Sequence, residues 1–180
     1  MKNFSHLTWV FGYGSLMWNP GFSFLEQEPA KLKGYHRTLC IYSHHHRGTR
    51  DSPGLVLGLD KGGNCSGIAF RVARENWPSI IEYLNERELV ENYAYVPANV
   101  KVNLASGAVY AYTFIANTGH PNYAGQLPIG KIVKIIRNAK GVGGGNLDYL
   151  LEVIKKLETL EQSDARLNAI LQHLQENDKN

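Results

Sequence analysis

Several things are scarce in this chain of 180 residues, and each scarcity excludes something. No apolar run approaches the roughly 20 residues that a membrane-spanning helix needs, so no membrane role is expected. Nineteen Lys and Arg face sixteen Asp and Glu, a formal net charge of +3. The positive charges are scattered rather than gathered into a basic run, which argues against a nucleic-acid partner. Only two cysteines are present, Cys40 and Cys65. They could pair on parity alone. The opening MKNFSHLTWVFGYGSL, however, lacks the uninterrupted apolar segment of a secretion signal. The chain is therefore expected in the cytoplasm, with both thiols reduced.

The composition that remains, 43% hydrophobic and 19% charged, is that of a folded globular chain. Its length fits one domain over residues 1–180, with a core at about 8–171 and a polar tail from about 175. Strands are expected at Val10–Tyr13 and Leu32–Ser43. A hairpin is expected from Leu55–Leu59 and Cys65–Val72 around Asp60–Asn64, and a second from Tyr95–Asn103 and Ala108–Ala116 around Ser106–Gly107. Helices are expected over Asn76–Val90, in the later part of Gln126–Arg137, and over Leu147–Glu161, followed by a short one after Ser163–Asp164. Strands lead and helices gather late, so the fold class is α+β.

Three motifs invite a function without supporting it. Residues 125–132, GQLPIGKI, have the spacing of a phosphate-binding loop, but the position after the lysine is Ile132, which offers no hydroxyl for magnesium. His44, His45 and His46 are adjacent. On an extended chain they alternate faces, and no second cluster completes a site with metal-ligand spacing. A polar loop is the simpler reading, and no metal is expected. Residues 141–146, GVGGGN, precede a helix. They fit an anion-binding turn, or a loop with Asn146 as the helix cap.

The informative anomaly is an acid. In the helix from Asn76 the apolar stripe runs through Trp77, Ile80, Ile81 and Leu84. Its next positions hold Arg87 and Glu88, where the period calls for apolar residues. Glu88 either turns to solvent or pairs with Arg87, or it is a partly buried carboxylate of raised pKa able to act as general base and acid. Glu91 is the rival on the same side.

Three stretches taken in order, VFGYGSLMWNPGF from Val10 to Phe22, then Arg47-Gly48-Thr49 with Pro53-Gly54-Leu55-Val56-Leu57, then YLNERE from Tyr83 to Glu88, resemble the ChaC family of γ-glutamylcyclotransferases. Asn146-Leu147-Asp148-Tyr149-Leu150 resembles a further family segment. The resemblance spans about Thr8 to Leu171. It implies a single γ-glutamylcyclotransferase-like domain with a mixed β-barrel core and flanking helices.

The resemblance also implies cleavage of reduced glutathione, a small-molecule partner, to 5-oxoproline and cysteinylglycine. The catalytic acid/base falls on Glu88. Substrate binding falls on Val10, Phe11, Gly12, Tyr13, Gly14, Ser15 and Leu16, with Arg47 and Tyr149 as further pocket candidates. Such a reaction requires no metal, nucleotide or other cofactor. Leu16 matches the glutathione-directed branch, where relatives acting on γ-glutamyl amino acids commonly carry Asn. The stretch from Glu88 to Tyr93 departs from the glycine-bearing family pattern. Two alternatives stay open: a binding module that senses a small molecule without turning it over, and a cyclotransferase for another γ-glutamyl amine. Nothing in the sequence signals an oligomeric state.

Overall fold

The computed structural model describes residues 7–89 and 94–176. β1 (Trp9–Gly12) is short, and its Val10 and Phe11 are fully buried. β2 (Glu26–Ser43) and β3 (Gly54–Arg71) are each 18 residues long. β4 (Tyr95–Leu104) and β5 (Gly107–Ala116) follow. The five strands close into a barrel in the order β1-β3-β2-β4-β5. β1 runs antiparallel to β3, with Val10 opposite Phe70, and parallel to β5, with Val10 opposite Tyr112. β2 runs antiparallel to β4, with Leu32 opposite Val102. The barrel is therefore mixed and, with its four helices, belongs to the α+β class.

The expected hairpin around Asp60–Asn64 is not a hairpin, because β3 continues through those residues. Gly62 and Gly63 have φ of +93° and +67°. Such values favour glycine and suit a bend as well as a reversal. The neighbouring strand explains the outcome, since the Nδ1 of His36 on β2 lies 3.1 Å from the Gly62 carbonyl oxygen. The second expected hairpin is present as β4 and β5.

The chain divides into two compact units, one built from residues up to Arg37 with Leu59–Ile115, the other from Thr38–Gly58 with Ala116 onward. In the first unit, α1 (Trp77–Glu88) lays Trp77, Ile80 and Leu84 against Val10, Tyr112 and Phe114. Trp77 and Tyr112 meet edge to face at 6.1 Å. Each such side chain contributes roughly 1.5–3 kcal/mol on burial. Pro78 lies in the helix's first turn, where its missing N–H leaves no intrahelical bond unmade. Asn76, just before the helix, is itself helical in backbone and makes no side-chain cap.

In the second unit α2 (Ile129–Asn138), α3 (Asn146–Thr159) and α4 (Ala165–Glu176) pack pairwise. Asp164, just before α4, accepts at its Oδ1 from the Leu167 N–H at 3.2 Å. The glycine-rich stretch 141–146 forms neither an open loop nor a cap from Asn146. β6 (Lys140–Gly141) and β7 (Gly144–Gly145) make a two-stranded turn. The Val142 and Gly143 N–H groups donate to the carbonyls of His45 and His46. Asn146 is fully buried. Its carboxamide accepts from the Leu55 N–H and donates to the Leu55 carbonyl, both at 2.7 Å, in the manner of a neighbouring strand.

Candidate active site

The strand β1 stops at Gly12 because the chain must turn sharply there. A Cβ on Gly12 would stand 2.9 Å from the Leu16 Cβ and 3.4 Å from the Phe70 ring. This glycine is thus required so that Leu16 folds back into the core, where it is buried. Tyr13 and Gly14 then lead into a 3₁₀ turn over Ser15–Met17, closed by the Met17 N–H on the Gly14 carbonyl at 2.9 Å. The Asn19 N–H donates back to the Ser15 carbonyl at 2.9 Å. Beneath the turn lies Arg37 of β2, only 4% exposed. Its Nε donates to the Tyr13 carbonyl at 2.6 Å, and its terminal nitrogen donates to the Ser66 carbonyl. A buried guanidinium thus fixes the loop's entry.

The end of α1 faces the same loop. Glu88 and Arg87 continue the apolar stripe, with side chains 19% and 20% exposed. The Arg87 Nε stands 3.3 Å from Glu88 Oε1. One terminal nitrogen of the guanidinium donates to Ser15 Oγ at 2.9 Å. The other donates to the carbonyls of Asn19 (2.7 Å) and Pro20 (3.3 Å) and to the Tyr83 hydroxyl oxygen (2.9 Å). The Glu88 carboxylate and the Ser15 hydroxyl, 73 positions apart in the chain by their numbers, are thereby held on a single planar cation. Burial pushes the Glu88 carboxyl above the usual carboxylate range, and the Arg87 charge opposes that push.

The spaced motif of the sequence is one contact network here. Gly21 has φ of +75°, and a Cβ on it would stand 1.9 Å from the Tyr83 hydroxyl oxygen. Phe22 meets Phe70 edge on at 5.8 Å. Asn85, one turn before Glu88, accepts a 2.6 Å hydrogen bond from the buried Tyr112 hydroxyl. Burial drives that phenol's pKa up to about 12, against the effect of the Asn85 bond. It therefore stays protonated and donates at physiological pH.

The structure brings together Glu88 and the Gly12–Leu16 loop. Val10 and Phe11 are core residues, and the Phe11 carbonyl accepts from Thr113 Oγ1 at 2.8 Å. Arg47 and Tyr149 belong to the second unit. There the Arg47 guanidinium lies over the Tyr149 ring, 5.3 Å from its centroid, and donates to the Gly145 carbonyl at 3.2 Å. The Tyr149 hydroxyl accepts from the Leu57 N–H at 3.3 Å. Glu91 lies outside the described residues.

Among the described residues no three His, Cys, Asp or Glu side chains gather in a way that could hold a metal ion. His44 instead meets Asn122 Oδ1 at 3.2 Å. Cys40 and Cys65 are buried and are not joined to each other by a disulfide. Among the described residues no helix is long and apolar enough to cross a membrane.

Two residues of the site were not anticipated. Arg37 lies between His36 and Thr38 in β2, and these polar neighbours give no signal that it is buried. Arg87 was read only as a partner for Glu88, yet its place on the stripe beside Leu84 already set it facing inward.

Residues 8–177 match the family model described as ChaC-like protein. The glutathione-specific gamma-glutamylcyclotransferase of Escherichia coli (strain K12) is 36% identical over 91% of this chain and 71% of its own length. The protein of the same name from Schizosaccharomyces pombe is 34% identical over 84% of this chain and 83% of its own length. A crystal structure of a yeast γ-glutamyl cyclotransferase specific to glutathione superposes with a TM-score of 0.86, covering 93% of this chain and 95% of that one. At 22% identity the superposition speaks for the fold alone. The motif network around Arg87 and the match over nearly the whole length lead to one assignment: the chain belongs to the ChaC-like protein family.

Proposed function

We propose that this protein is a γ-glutamylcyclotransferase that cleaves reduced glutathione to 5-oxoproline and cysteinylglycine, with Glu88 as the acid/base. The observation that carries the reading is the convergence of the half-buried Glu88 carboxylate and the Ser15 hydroxyl on the Arg87 guanidinium. The names carried by relatives at 34–36% identity supply the substrate.

The chemistry asks little beyond a bent substrate and one proton shuttle. The α-amine of a γ-glutamyl group reaches its own γ-carbonyl and closes a five-membered lactam. Holding the chain bent confers the advantage of an intramolecular reaction. At neutral pH the amine is an ammonium, so Glu88 first removes a proton. The nitrogen attacks the γ-carbonyl, and the carbonyl oxygen takes up negative charge. When the bond to the cysteinyl nitrogen breaks, Glu88 returns the proton to that leaving amine. The nitrogen that attacked loses a second proton as it becomes the lactam N–H, and the released amine gains one as it becomes an ammonium. Protons and electrons balance with no co-reactant.

A carboxyl pushed up by burial suits this double role, because it holds a proton more readily than an exposed carboxylate and can pass it on to the leaving amine. The Gly12–Leu16 loop is proposed to hold the γ-glutamyl end, through the Ser15 hydroxyl and the backbone N–H groups of the turn. The proposed setting is the cytoplasm, where glutathione and the Cys40 and Cys65 thiols both stay reduced.

Calorimetry with glutathione, followed by product analysis of the same sample, tests the reading. Heat of turnover with 5-oxoproline and cysteinylglycine in the mixture is expected. Saturable binding that leaves glutathione intact would make the protein a sensor and overturn the proposal. Turnover of a different γ-glutamyl amine alone would keep the chemistry and replace the substrate.

A further inference from the structure

Arg87 reaches into both halves of the site, and its five nitrogen–oxygen contacts fall on four different kinds of partner. Those partners are the acid on its own helix, a loop hydroxyl, and two consecutive carbonyls with a phenol between helix and loop. We infer that Arg87 is a positioning residue: its guanidinium joins the acid-bearing end of α1 to the 15–20 loop, so that Glu88 and Ser15 are presented to one and the same ligand. This deepens the proposed function and rests on it.

The geometry favours this role over a simple surface ion pair. Adjacent residues of a helix do not face each other, so the Glu88 contact alone would be a chance neighbour. The Tyr83 contact is one helical turn away, but Asn19, Pro20 and Ser15 lie 67 to 72 residues away. The guanidinium is flat and carries its donors in a fixed fork. Fixing the Asn19 and Pro20 carbonyls with one nitrogen and Ser15 with the other therefore fixes the plane in which Nε meets Glu88. A lysine would carry the charge but not the fork. Gly21 belongs to the same device, because its missing side chain leaves room for the Tyr83 hydroxyl that accepts from Arg87.

Among the described residues Arg87 is the charged group that acts on Glu88. The neighbouring Tyr83 hydroxyl is engaged by Arg87, and the Tyr112 hydroxyl on β5 is engaged by Asn85 and stays protonated. Glu82 and Glu86 on α1 lie on the exposed face. Removing the Arg87 charge leaves burial unopposed, so the Glu88 midpoint moves up. Replacing the fork by an ammonium keeps the midpoint near its place but lets the loop drift.

The experiment pairs a titration with kinetics on the full chain. Carboxyl carbons of glutamate labelled with ¹³C are followed by NMR against pH, and Glu88→Gln identifies the Glu88 signal by its loss. In Arg87→Met the Glu88 midpoint is expected to rise, and the ascending limb of kcat/KM against pH to shift up with it. In Arg87→Lys both stay near the wild-type position, while KM for glutathione rises by about tenfold or more. An unchanged Glu88 midpoint in a folded Arg87→Met protein would overturn the inference, as would a wild-type KM in Arg87→Lys. Should Arg87→Met fail to fold, the KM of Arg87→Lys decides. The NMR titration needs no turnover, so a wild-type protein that released no 5-oxoproline would sink the proposed reaction while leaving the coupling of Arg87 to Glu88 separately readable.

Discussion

The glycines between Gly12 and Gly21 and those between Gly141 and Gly145 look alike in the sequence, yet they serve opposite ends. In the first stretch the absent side chains make room for other side chains. Gly12 admits Leu16, and Gly21 admits the Tyr83 hydroxyl that meets Arg87. In the second stretch Gly141 and Gly143 make room for backbone, while Gly144 and Gly145 face the side chains of Arg47 and Asp148. A Cβ on Gly141 would stand 2.1 Å from the His45 carbonyl oxygen, and Gly48 and Gly54 stand in the same relation to each other's neighbouring chain. Glycines that admit side chains bring chemistry-bearing groups to a turn. Glycines that admit backbone let two chain segments cross, and the crossing is then filled. The histidines at 45 and 46 are part of that filled crossing through their carbonyls.

The largest effect that would separate the two stretches lies at Glu88. Loss of a general acid/base costs about 10²–10⁴ in rate. Glu88→Gln should fall by that factor in turnover while its circular dichroism and melting profile stay those of a folded protein. Near-normal turnover would remove Glu88 from the chemistry and make Glu91 the next residue to replace.

Asn146 gives the matching effect in the second unit, on stability rather than rate. Asn146→Ala leaves the Leu55 N–H and carbonyl without their buried partner, at about 1–3 kcal/mol for each orphaned group. Urea denaturation should report the loss, and an unchanged midpoint would mean the pairing contributes nothing.

The glycines themselves sharpen the contrast. Gly141→Ala forces a side chain onto a carbonyl, and overpacking of this kind costs roughly 1–3 kcal/mol. Its activity per folded molecule should stay near wild type. Gly21→Ala displaces the Tyr83 hydroxyl and should lower kcat/KM beyond any change in stability. Equal behaviour of the two variants would erase the distinction. Tyr112→Phe removes one hydrogen bond to Asn85, a change of about 0.5–1.5 kcal/mol in stability, readable as a small shift of the urea midpoint.

The smallest expected effect is one of pH. The folded protein holds the Glu88 carboxyl above its ordinary value, so the native state keeps a proton that the unfolded chain gives up. The stability contributed by this group is fully present below the ordinary glutamate pKa of about 4.3 and is lost as pH rises through the raised one. Glu88→Gln removes that titration. The variant should therefore gain in stability relative to wild type as pH rises from acid toward neutrality. A difference that stays flat with pH would contradict the buried carboxylate.

Much of the site was legible because it rests on local periods. The stripe through Trp77, Ile80 and Leu84 marks the face of α1, and Glu88 stands on that face because the helical period continues past Leu84. The paired strands β4 and β5 follow from alternation and a glycine turn. What was not legible depends on partners far along the chain. Asp60–Asn64 has the composition of a turn, and only β2 running alongside keeps β3 going through Gly62. Asn146 has the chemistry of a helix cap, and only the nearness of Leu55 turns its amide into a strand-like partner. Arg37 and Arg87 carry charges that composition assigns to the surface. Their carbonyl partners, at Tyr13 and at Asn19 and Pro20, have no signature in any side chain.

The most direct measurement is product formation by wild type and Glu88→Gln side by side. Purified protein is incubated with reduced glutathione, without added metal or nucleotide, and 5-oxoproline and cysteinylglycine are followed by mass spectrometry. The account predicts both products in equal amounts from wild type and nearly none from the variant. No product from folded wild type, or undiminished product from Glu88→Gln, would contradict it.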